Sequence, residues 1–377
     1  MPATRCPGAS RSARRSIPRR GGWRSPALRS DTNPIPFVTY ARGADGVSRS
    51  AADHSYGYAE ALRDCVVRPV IFLAYGGEMQ WRTRAGDEVS ARLGEPLTKD
   101  LTAQAWRTAL DPAGEWIPSV LGAADTRLTE IRRHVPDAGG LVIAGDQDTA
   151  RAYAKLLRGI SGEPATVVLS DDPGASKRIG AFAESDRRWM VAVRMVSEGV
   201  DVPRLSVGVF ATPTSTPLFF AQAVGRFLRV RHRGETASVF LPSVPTLLGH
   251  AAELEVERDH ALGRAAGDDE DLDALEESLV AAANRPETAS DESEQPAFEA
   301  LGSAATFDRV LYDGGEFGAE AAVGSAEEAD YLGIPGLLEP HQVTALLQRR
   351  QADQLAAQPP ARRAREGVAP STTFEEI

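Results

Sequence analysis

Hydrophobic and polar positions follow two alternating periods in the middle of the chain, over residues 140–245. Short apolar runs, typical of buried strands, are separated by stretches with helical spacing. Continuous apolar strands that alternate with helices indicate a parallel sheet covered on both faces, and therefore an α/β fold. The predicted strands are Leu141–Ala144, Ala165–Ser170, Trp189–Arg194, Leu205–Ala211 and Ser238–Leu241, and the predicted helices are Thr149–Leu157, Ala175–Ala183 and Pro217–Val230.

The pattern before residue 135 is less regular. The apolar run Arg68–Tyr75 is followed by Glu78–Arg84, and the glycines Gly76-Gly77 stand between them. Two glycines between extended runs are typical of a β-hairpin, so we predict a turn at this point. Helical spacing returns over Leu101–Leu110 and Ala124–His134. In the helix that begins near Thr149, either that residue or Asp148 is the predicted N-cap.

Charge is distributed unevenly along the chain. Residues 1–30 contain eight arginines and no acidic residue, so this stretch cannot bury a core. A basic nucleic-acid arm, a transit-like peptide and a non-native leader all have such a composition, and we favour the last. Residues 251–300 hold 16 acidic residues against three arginines, while the whole chain has a net charge of −11. The chain outside this acidic stretch is therefore nearly neutral, which permits a local basic groove for nucleic acid.

These observations predict five regions along the chain. A disordered basic leader covers 1–30, and a region with a β-hairpin covers 31–134. The α/β lobe covers 135–250, an acidic linker covers 251–300, and a partly helical extension covers 301–377. No apolar run reaches the ~18–20 residues of a membrane span, so we expect a soluble, cytoplasmic protein without a membrane partner. The two cysteines and six scattered histidines have no metal-ligand spacing, so no metal site is predicted.

The sequence Gln222-Ala-Val-Gly-Arg226-Phe-Leu-Arg229 is the strongest candidate for chemistry. On one helix, Gln222, Arg226 and Arg229 are separated by four and three residues and share a face. The apolar residues between them would dock the helix on the sheet, and Gly225 would allow close packing beside the arginines. Guanidinium groups match phosphate oxygens bidentately, so this array favours a phosphate ligand. A surface helix with solvated arginines is the alternative.

A second candidate is the loop Ser197-Glu-Gly199-Val-Asp201-Val-Pro203, which follows the strand Trp189–Arg194. We expect it at the carboxyl end of the sheet, where α/β proteins bind ligands. Gly199 permits a tight turn or a close approach of the backbone to a ligand. Asp201 could accept hydrogen bonds from a ribose or hold a metal-bound water. A purely structural turn is the alternative for this loop.

In this order and at this spacing, the two sequences resemble motifs V and VI of superfamily 2 helicases. The branch of type III restriction subunits and excision-repair helicases is the most similar. The resemblance extends back to a motif IV-like strand and turn at Leu141–Asp148. It covers residues 135–245, with a looser likeness over 31–135. It implies a RecA-like C-terminal motor lobe and identifies 31–134 as a remnant of the inter-lobe region.

The resemblance also implies roles for individual residues. Arg226 and Arg229 would be catalytic, reaching the γ-phosphate of ATP across the cleft between two lobes. Gln222, Gly199 and Asp201 would contact the nucleotide or respond to it. Double- or single-stranded DNA is the expected nucleic acid. Its backbone would be contacted by Ser170, Ser197 and Thr212.

A superfamily 2 motor also needs a first lobe with a phosphate loop, Gly-x-x-x-x-Gly-Lys-[Ser/Thr]. None of the three lysines, Lys99, Lys155 and Lys177, follows a glycine, and nothing resembles the acidic magnesium-binding box. The phrase Leu28-Arg-Ser-Asp31 resembles the end of a first lobe. We therefore expect a truncated or split motor. It would bind ATP and Mg²⁺ only with a first lobe supplied in trans, would bind no cofactor alone, and would not hydrolyse ATP alone.

Two other functions remain open at this point. The chain could be a catalytically inert nucleic-acid-binding or regulatory module that uses its motif IV and V loops and the basic leader. It could also be an α/β scaffold without a ligand.

Overall fold

The computed structural model describes residues 39–42, 48–51, 58–64, 66–169, 174–193, 202–255, 261–262 and 298–357. The strands are β1 (Thr39–Arg42), β2 (Ser48–Ala51), β3 (Val70–Thr83), β4 (Glu88–Leu93), β5 (Gly139–Ala144), β6 (Thr166–Val168), β7 (Trp189–Val193), β8 (Leu205–Ala211), β9 (Ala237–Pro242), β10 (Ala261–Leu262), β11 (Phe298–Ser303), β12 (Thr306–Tyr312), β13 (Gly315–Phe317) and β14 (Ala321–Ala322). The helices are α1 (Tyr58–Arg63), α2 (Lys99–Ala109), α3 (Trp116–Arg132), α4 (Gln147–Ser161), α5 (Ala175–Ala183), α6 (Pro217–Gly225), α7 (Pro245–Glu255), α8 (Ala326–Leu332) and α9 (Pro340–Ala357).

A parallel sheet forms the centre of the molecule. Its strands run in the order β3-β9-β8-β5-β7-β6, and every neighbouring pair is parallel. All residues of β5, β7, β8 and β9 are buried, which requires cover on both faces. The predicted fold class, an α/β fold with a parallel sheet sandwiched by helices, is confirmed.

Specific side chains attach helices to the two faces of this sheet. On one face, Arg127 of α3 donates through Nε to the Ser238 hydroxyl at 2.9 Å, and α4 packs on β5 and β7. On the opposite face, the ring of Phe220 in α6 packs against Phe72 and Phe210, with centroids 6.1 Å and 5.7 Å away. Helices α3 and α6 therefore lie on opposite sides of the sheet.

The predicted hairpin at Gly76-Gly77 is wrong, because β3 continues unbroken through both glycines. The turn comes later, over Arg84–Asp87, and leads into β4. The two glycines are explained by close contacts with neighbouring strands. A Cβ on Gly76 would lie 2.3 Å from the Leu93 carbonyl oxygen, and one on Gly77 would clash with the backbone of Ala304. Glycine is needed because neighbouring strands approach closely where β3 leaves the parallel sheet.

The C-terminal part of the chain completes the sheet. Strand β12 pairs antiparallel with the first half of β3, and β13 adds to its outer side. The second half of β3 pairs antiparallel with β4 and β11. The sequence predicted only helices here, and α8 and α9 are indeed present, but strands β11 and β12 join this extension to the lobe. Strand β3, from the region predicted as 31–134, belongs to the same sheet.

Two buried polar contacts hold the extension on the sheet. The Tyr75 hydroxyl donates to the buried Glu328 carboxylate at 2.6 Å. Arg127, which is fully buried, donates to the carbonyls of Leu332, the last residue of α8, and Ile334. Buried polar groups of this kind are stabilising only while all partners remain in place. The extension is thus integrated into the core.

Several helix boundaries differ from the sequence expectation. Helix α4 starts earlier than predicted, and its N-cap is Asp146 rather than Asp148 or Thr149. The Asp146 carboxylate accepts from the backbone N–H of Thr149 at 2.8 Å in a capping box. Helix α3 begins at Trp116, about two turns before Ala124, where the thinly spaced apolar pattern predicts its start. Within the ranges given above, no helix combines the length and apolarity needed to cross a bilayer.

Candidate functional site

Helix α6 crosses one face of the sheet from the carboxyl ends of the strands to their amino ends. It begins one short loop after β8 ends, with Thr216 as N-cap and Pro217 in the first turn. The rings of Phe219 and Phe220 pack on Phe210 near the end of β8. Further along the chain, the ring of Phe227 packs against Gly208, which comes two residues before Phe210 in β8. The end of α6 therefore lies at the amino edge of the sheet.

The predicted helix Pro217–Val230 ends early, at Gly225. Arg226 is the C-cap, and the backbone N–H of Phe227 closes a tight turn by donating to the Val224 carbonyl at 2.8 Å. Arg229 lies beyond the helix and forms an isolated antiparallel bridge with Val67. The expectation that one helix presents all three polar residues is wrong for Arg229, while Gln222 and Arg226 keep their four-residue spacing.

The four residues Arg226–Arg229 are referred to below as the arginine segment. Arg226 is half-buried and Arg229 is exposed, and both lie at the amino edge. Gln222 is half-buried one turn before the end of α6. Gly225 was predicted to allow close packing, but among the described residues nothing lies within 4 Å of a Cβ placed there. Its small size is not explained by a described neighbour.

Arg68, which the sequence reasoning did not select, holds the arginine segment. Its backbone N–H donates to the Leu228 carbonyl at 2.9 Å, and its Nε donates to the Phe227 carbonyl at 2.7 Å. Its Nη2 donates to the carbonyl of Leu205, the first residue of β8. One guanidinium group therefore joins the arginine segment to the start of β8.

An acidic residue balances this buried charge. Arg68 is only 1% exposed, and its Nη1 lies 3.3 Å from the equally buried Glu235 carboxylate. Burial lowers the pKa of Arg68 to about 10, against the opposing effect of Glu235, so the guanidinium stays charged at neutral pH. Glu235 also accepts from the Arg231 backbone N–H at 3.1 Å. Arg231 in turn contacts Asp137 at 2.5 Å, and this hydrogen bond lowers the pKa of the Asp137 carboxyl.

Arg204 is a further buried arginine at the amino edge. Arg204, just before β8, donates to the carbonyls of Phe182, Asp137 and Arg187, and its guanidinium stacks on the Phe182 ring at 3.9 Å. Burial lowers its pKa to about 10. The amino edge is thus built on buried guanidinium groups that donate to backbone carbonyls. No signal in the sequence distinguished them from the other arginines, because each has its partners far away along the chain.

The carboxyl edge carries the predicted residue Thr212 instead. Thr212 is fully buried, and its hydroxyl accepts from the backbone N–H of Thr214 at 3.4 Å within the loop before α6. Pro213 lies against Gly145, at the start of α4. Thr212 therefore shapes this loop, while the half-buried residues 214–216 are more accessible to a ligand. The structure separates Thr212 from Arg226 and Arg229, which lie at the opposite edge.

The remaining site predictions fall outside the described residues. The chain leaves the described part after Val193 and returns at Val202, which is buried directly before β8 at the amino edge. The roles assigned to Ser170, Ser197, Gly199 and Asp201 therefore stay predictions.

The amino edge carries positively charged side chains. Guanidinium groups of Arg226 and Arg229 can neutralise phosphate oxygens. Lys99, Lys155 and Lys177 lie on helices α2, α4 and α5. Across the described ranges, no group of three or more His, Cys, Asp or Glu side chains is arranged to hold a metal ion.

No protein-family model matches the chain. It is 61% identical, over 332 residues, to an uncharacterized protein of Mycobacterium tuberculosis (strain ATCC 25618 / H37Rv), covering 87% of this chain and 54% of that protein. A protein of Mycobacterium leprae (strain TN) is 56% identical over 337 residues, covering 89% and 56%. The chain thus spans about half the length of the curated relatives it matches.

The solved structures that resemble the chain include helicase domains. A fragment of a protein described as an HsdR subunit of a type I restriction enzyme from Vibrio vulnificus YJ016 is 14% identical, with a TM-score of 0.37. The match covers 53% of this chain and 37% of that one. A TM-score below 0.5 is too low for this structure to define the fold or function of the chain.

Proposed function

We propose that the chain is the C-terminal lobe of a superfamily 2 helicase-type motor, and that Arg226 and Arg229 act on the γ-phosphate of ATP. The observation that carries this proposal is the position of the arginine segment at the amino edge, where Arg68 ties it to the start of β8. Asp201 immediately precedes Val202 at that edge in sequence. The order of motifs V and VI in the sequence supports the same assignment.

The proposed mechanism gives this lobe the electrostatic part of phosphoryl transfer. A first lobe would bind ATP and Mg²⁺ with its phosphate loop, and the two lobes would close around the nucleotide. The guanidinium groups of Arg226 and Arg229 would then neutralise charge that develops on the transferred phosphoryl group. Gln222, one turn away, would link the state of the nucleotide to the position of α6.

Nucleic acid would bind at the opposite, carboxyl edge. The loop shaped by Thr212 and the start of α4 meet there, and a helix N-terminus attracts phosphate through its free N–H groups. Ser170 and Ser197 would add hydroxyl groups. A catalytically inert nucleic-acid-binding module is the second candidate function, and it rests on this edge alone.

Pairing the chain with a first lobe tests the proposal. The unmatched part of the mycobacterial relatives is the proposed source of that lobe. The mixture is expected to gain DNA-stimulated ATP hydrolysis that neither part has alone. Arg229→Ala should lower kcat by about 10³-fold or more, since an arginine finger contributes that much to phosphoryl transfer.

Arg233→Ala is the matched control, because Arg233 is also exposed near the amino edge and its guanidinium contacts Glu339 of the C-terminal extension at 2.7 Å. It should leave kcat unchanged. Equal activity of the Arg229 and Arg233 variants would contradict the proposed role. Salt-dependent DNA binding without any ATPase gain would favour the second candidate function.

A further inference from the structure

We infer that Arg68 is a positioning residue for the arginine segment, which fixes the backbone that carries Arg226 and Arg229. This inference rests on the proposed function. Arg68 is 1% exposed and lies 158 residues before Arg226 in the sequence, two residues before β3 begins. The partners of Arg68 in the arginine segment are backbone carbonyls. Arg68 therefore acts on the main chain of the segment, while the nucleotide would be contacted by the side chains of Arg226 and Arg229.

The arginine segment needs such support because α6 has already ended. After Gly225 no further helical turn supplies backbone N–H groups, so the carbonyls of the segment need other donors. Arg68 supplies two donors in sequence, its Nε to the Phe227 carbonyl at 2.7 Å and its backbone N–H to the Leu228 carbonyl at 2.9 Å. The bridge between Val67 and Arg229 continues the same pairing. The main chain is thus held on both sides of Leu228.

The contacts of Arg68 require the planar fork of an arginine. Nε, Nη1 and Nη2 point to different acceptors, namely the Phe227 carbonyl, the Ser206 hydroxyl with the Glu235 carboxylate, and the Leu205 carbonyl. A lysine ammonium keeps the charge but cannot reach all of these groups from one point. Lysine at position 68 therefore separates the effect of geometry from the effect of charge.

The same network fixes the far end of the arginine segment. Glu235 contacts Arg68 and also accepts from the backbone N–H of Arg231, two residues after Arg229. Arg231 then reaches Asp137, in the turn before β5. The segment is consequently attached to three strands of the sheet, at the starts of β3, β8 and β5.

Arg127 offers a closely matched control. It is also fully buried, and its guanidinium donates to two backbone carbonyls, as that of Arg68 does, and to two hydroxyl groups. Burial lowers its pKa to about 9. Its carbonyl partners, however, are Leu332 and Ile334 of the C-terminal extension. Arg127→Lys should therefore disturb the protein to a similar extent, but at a different place.

Amide hydrogen exchange of the full chain, followed by mass spectrometry, tests the inference. Arg68→Lys is expected to accelerate exchange in peptides covering 226–231 by about tenfold or more, since a local opening becomes easier. Peptides covering 332–338 should keep the wild-type rate. Arg127→Lys should give the reverse pattern. If both variants accelerate 226–231 equally, or if Arg68→Lys leaves that segment at the wild-type rate, the inference is wrong.

Glu235→Gln provides a second variant if Arg68→Lys fails to fold. It preserves the shape of the side chain but removes the charge that balances Arg68, and the same exchange pattern is expected. With a first lobe present, Arg68→Lys should lower kcat by about 10–100-fold with little change in the KM for ATP, as expected for a misplaced group that acts in the transition state. Arg127→Lys should retain kcat. If the wild-type chain gains no ATPase activity, the proposed function fails, while the exchange result still decides whether Arg68 holds the segment.

Discussion

The two edges of the parallel sheet hold their polar residues in different ways. At the amino edge, buried arginines from distant parts of the chain donate to backbone carbonyls, and the segment that Arg68 holds contains the exposed Arg229. At the carboxyl edge, hydroxyl groups bond to their own loop, as Thr212 does to Thr214. The amino edge depends on long-range contacts, whereas the carboxyl edge is specified locally. The structural effects of a mutation at the amino edge should consequently reach further through the molecule than those of a mutation at the carboxyl edge.

The largest expected effect comes from Gly208, under the arginine segment. A Cβ at this position would lie 2.5 Å from the buried Phe227 ring, whose carbonyl is fixed by Arg68. Gly208→Ala is expected to lower the free energy of unfolding by about 1–3 kcal/mol, the usual result of overpacking. Urea denaturation measures the change. Gly225→Ala is the control, and it should be neutral or stabilising, because no described atom lies near and alanine favours a helix. A Gly208 variant as stable as wild type would mean that Phe227 does not pack there.

The effect at the carboxyl edge should be smaller and confined to its own loop. The Thr216 hydroxyl caps α6 by accepting from the Phe219 backbone N–H at 3.3 Å. Thr216→Ala should lower the free energy of unfolding by about 1 kcal/mol, while Thr216→Ser should retain the cap and most of the stability. Hydrogen exchange at 226–231 should remain at the wild-type rate in both variants. Faster exchange there would show that the two edges are not independent.

The smallest effect should come from the ion pair between Asp137 and Arg231. The hydrogen bond from Arg231 lowers the pKa of Asp137 below 3.8, so the pair stabilises the fold above that pH and loses its contribution as the pH falls through the lowered pKa. Because the Asp137 side chain is 50% exposed, the contribution should stay below about 1 kcal/mol. Wild type and Asp137→Asn should differ in urea stability at pH 7, and the difference should shrink as the pH falls from 3.8 through the lowered pKa of Asp137. A constant difference across this range would exclude the ion pair as its cause.

The sequence pattern predicted the parts of the fold that depend on local periodicity. Strand Leu205–Ala211 and helix Ala175–Ala183 have the predicted bounds, because apolar runs and helical spacing are local signals. Gly76-Gly77 misled the prediction, since glycine is favoured both in turns and where strands approach closely. Strand β12 was missed because its partner, β3, is more than 200 residues away in the sequence.

The candidate site was predicted in part. The residue types at 222, 226 and 229 could be identified from spacing, but the end of α6 could not, because the contacts that replace the helix come from Arg68. Arg68 itself looks like any arginine before an apolar run. Its burial depends on Glu235 and Ser206, which only the folded chain brings beside it.

Strand β3 has a consequence for the order in which the protein can fold during synthesis. Its first half lies between β9 and β12, and these two partners are made about 165 and 235 residues later. At a translation rate of ~5–20 residues per second, the ribosome would need roughly 10–50 seconds to reach β12 after completing β3. During that time the apolar first half of the strand, Val70–Tyr75, is without the two strands that pair with it. Because these contacts join residues so far apart in the sequence, we expect the nascent chain to depend on chaperones while β3 waits for its partners.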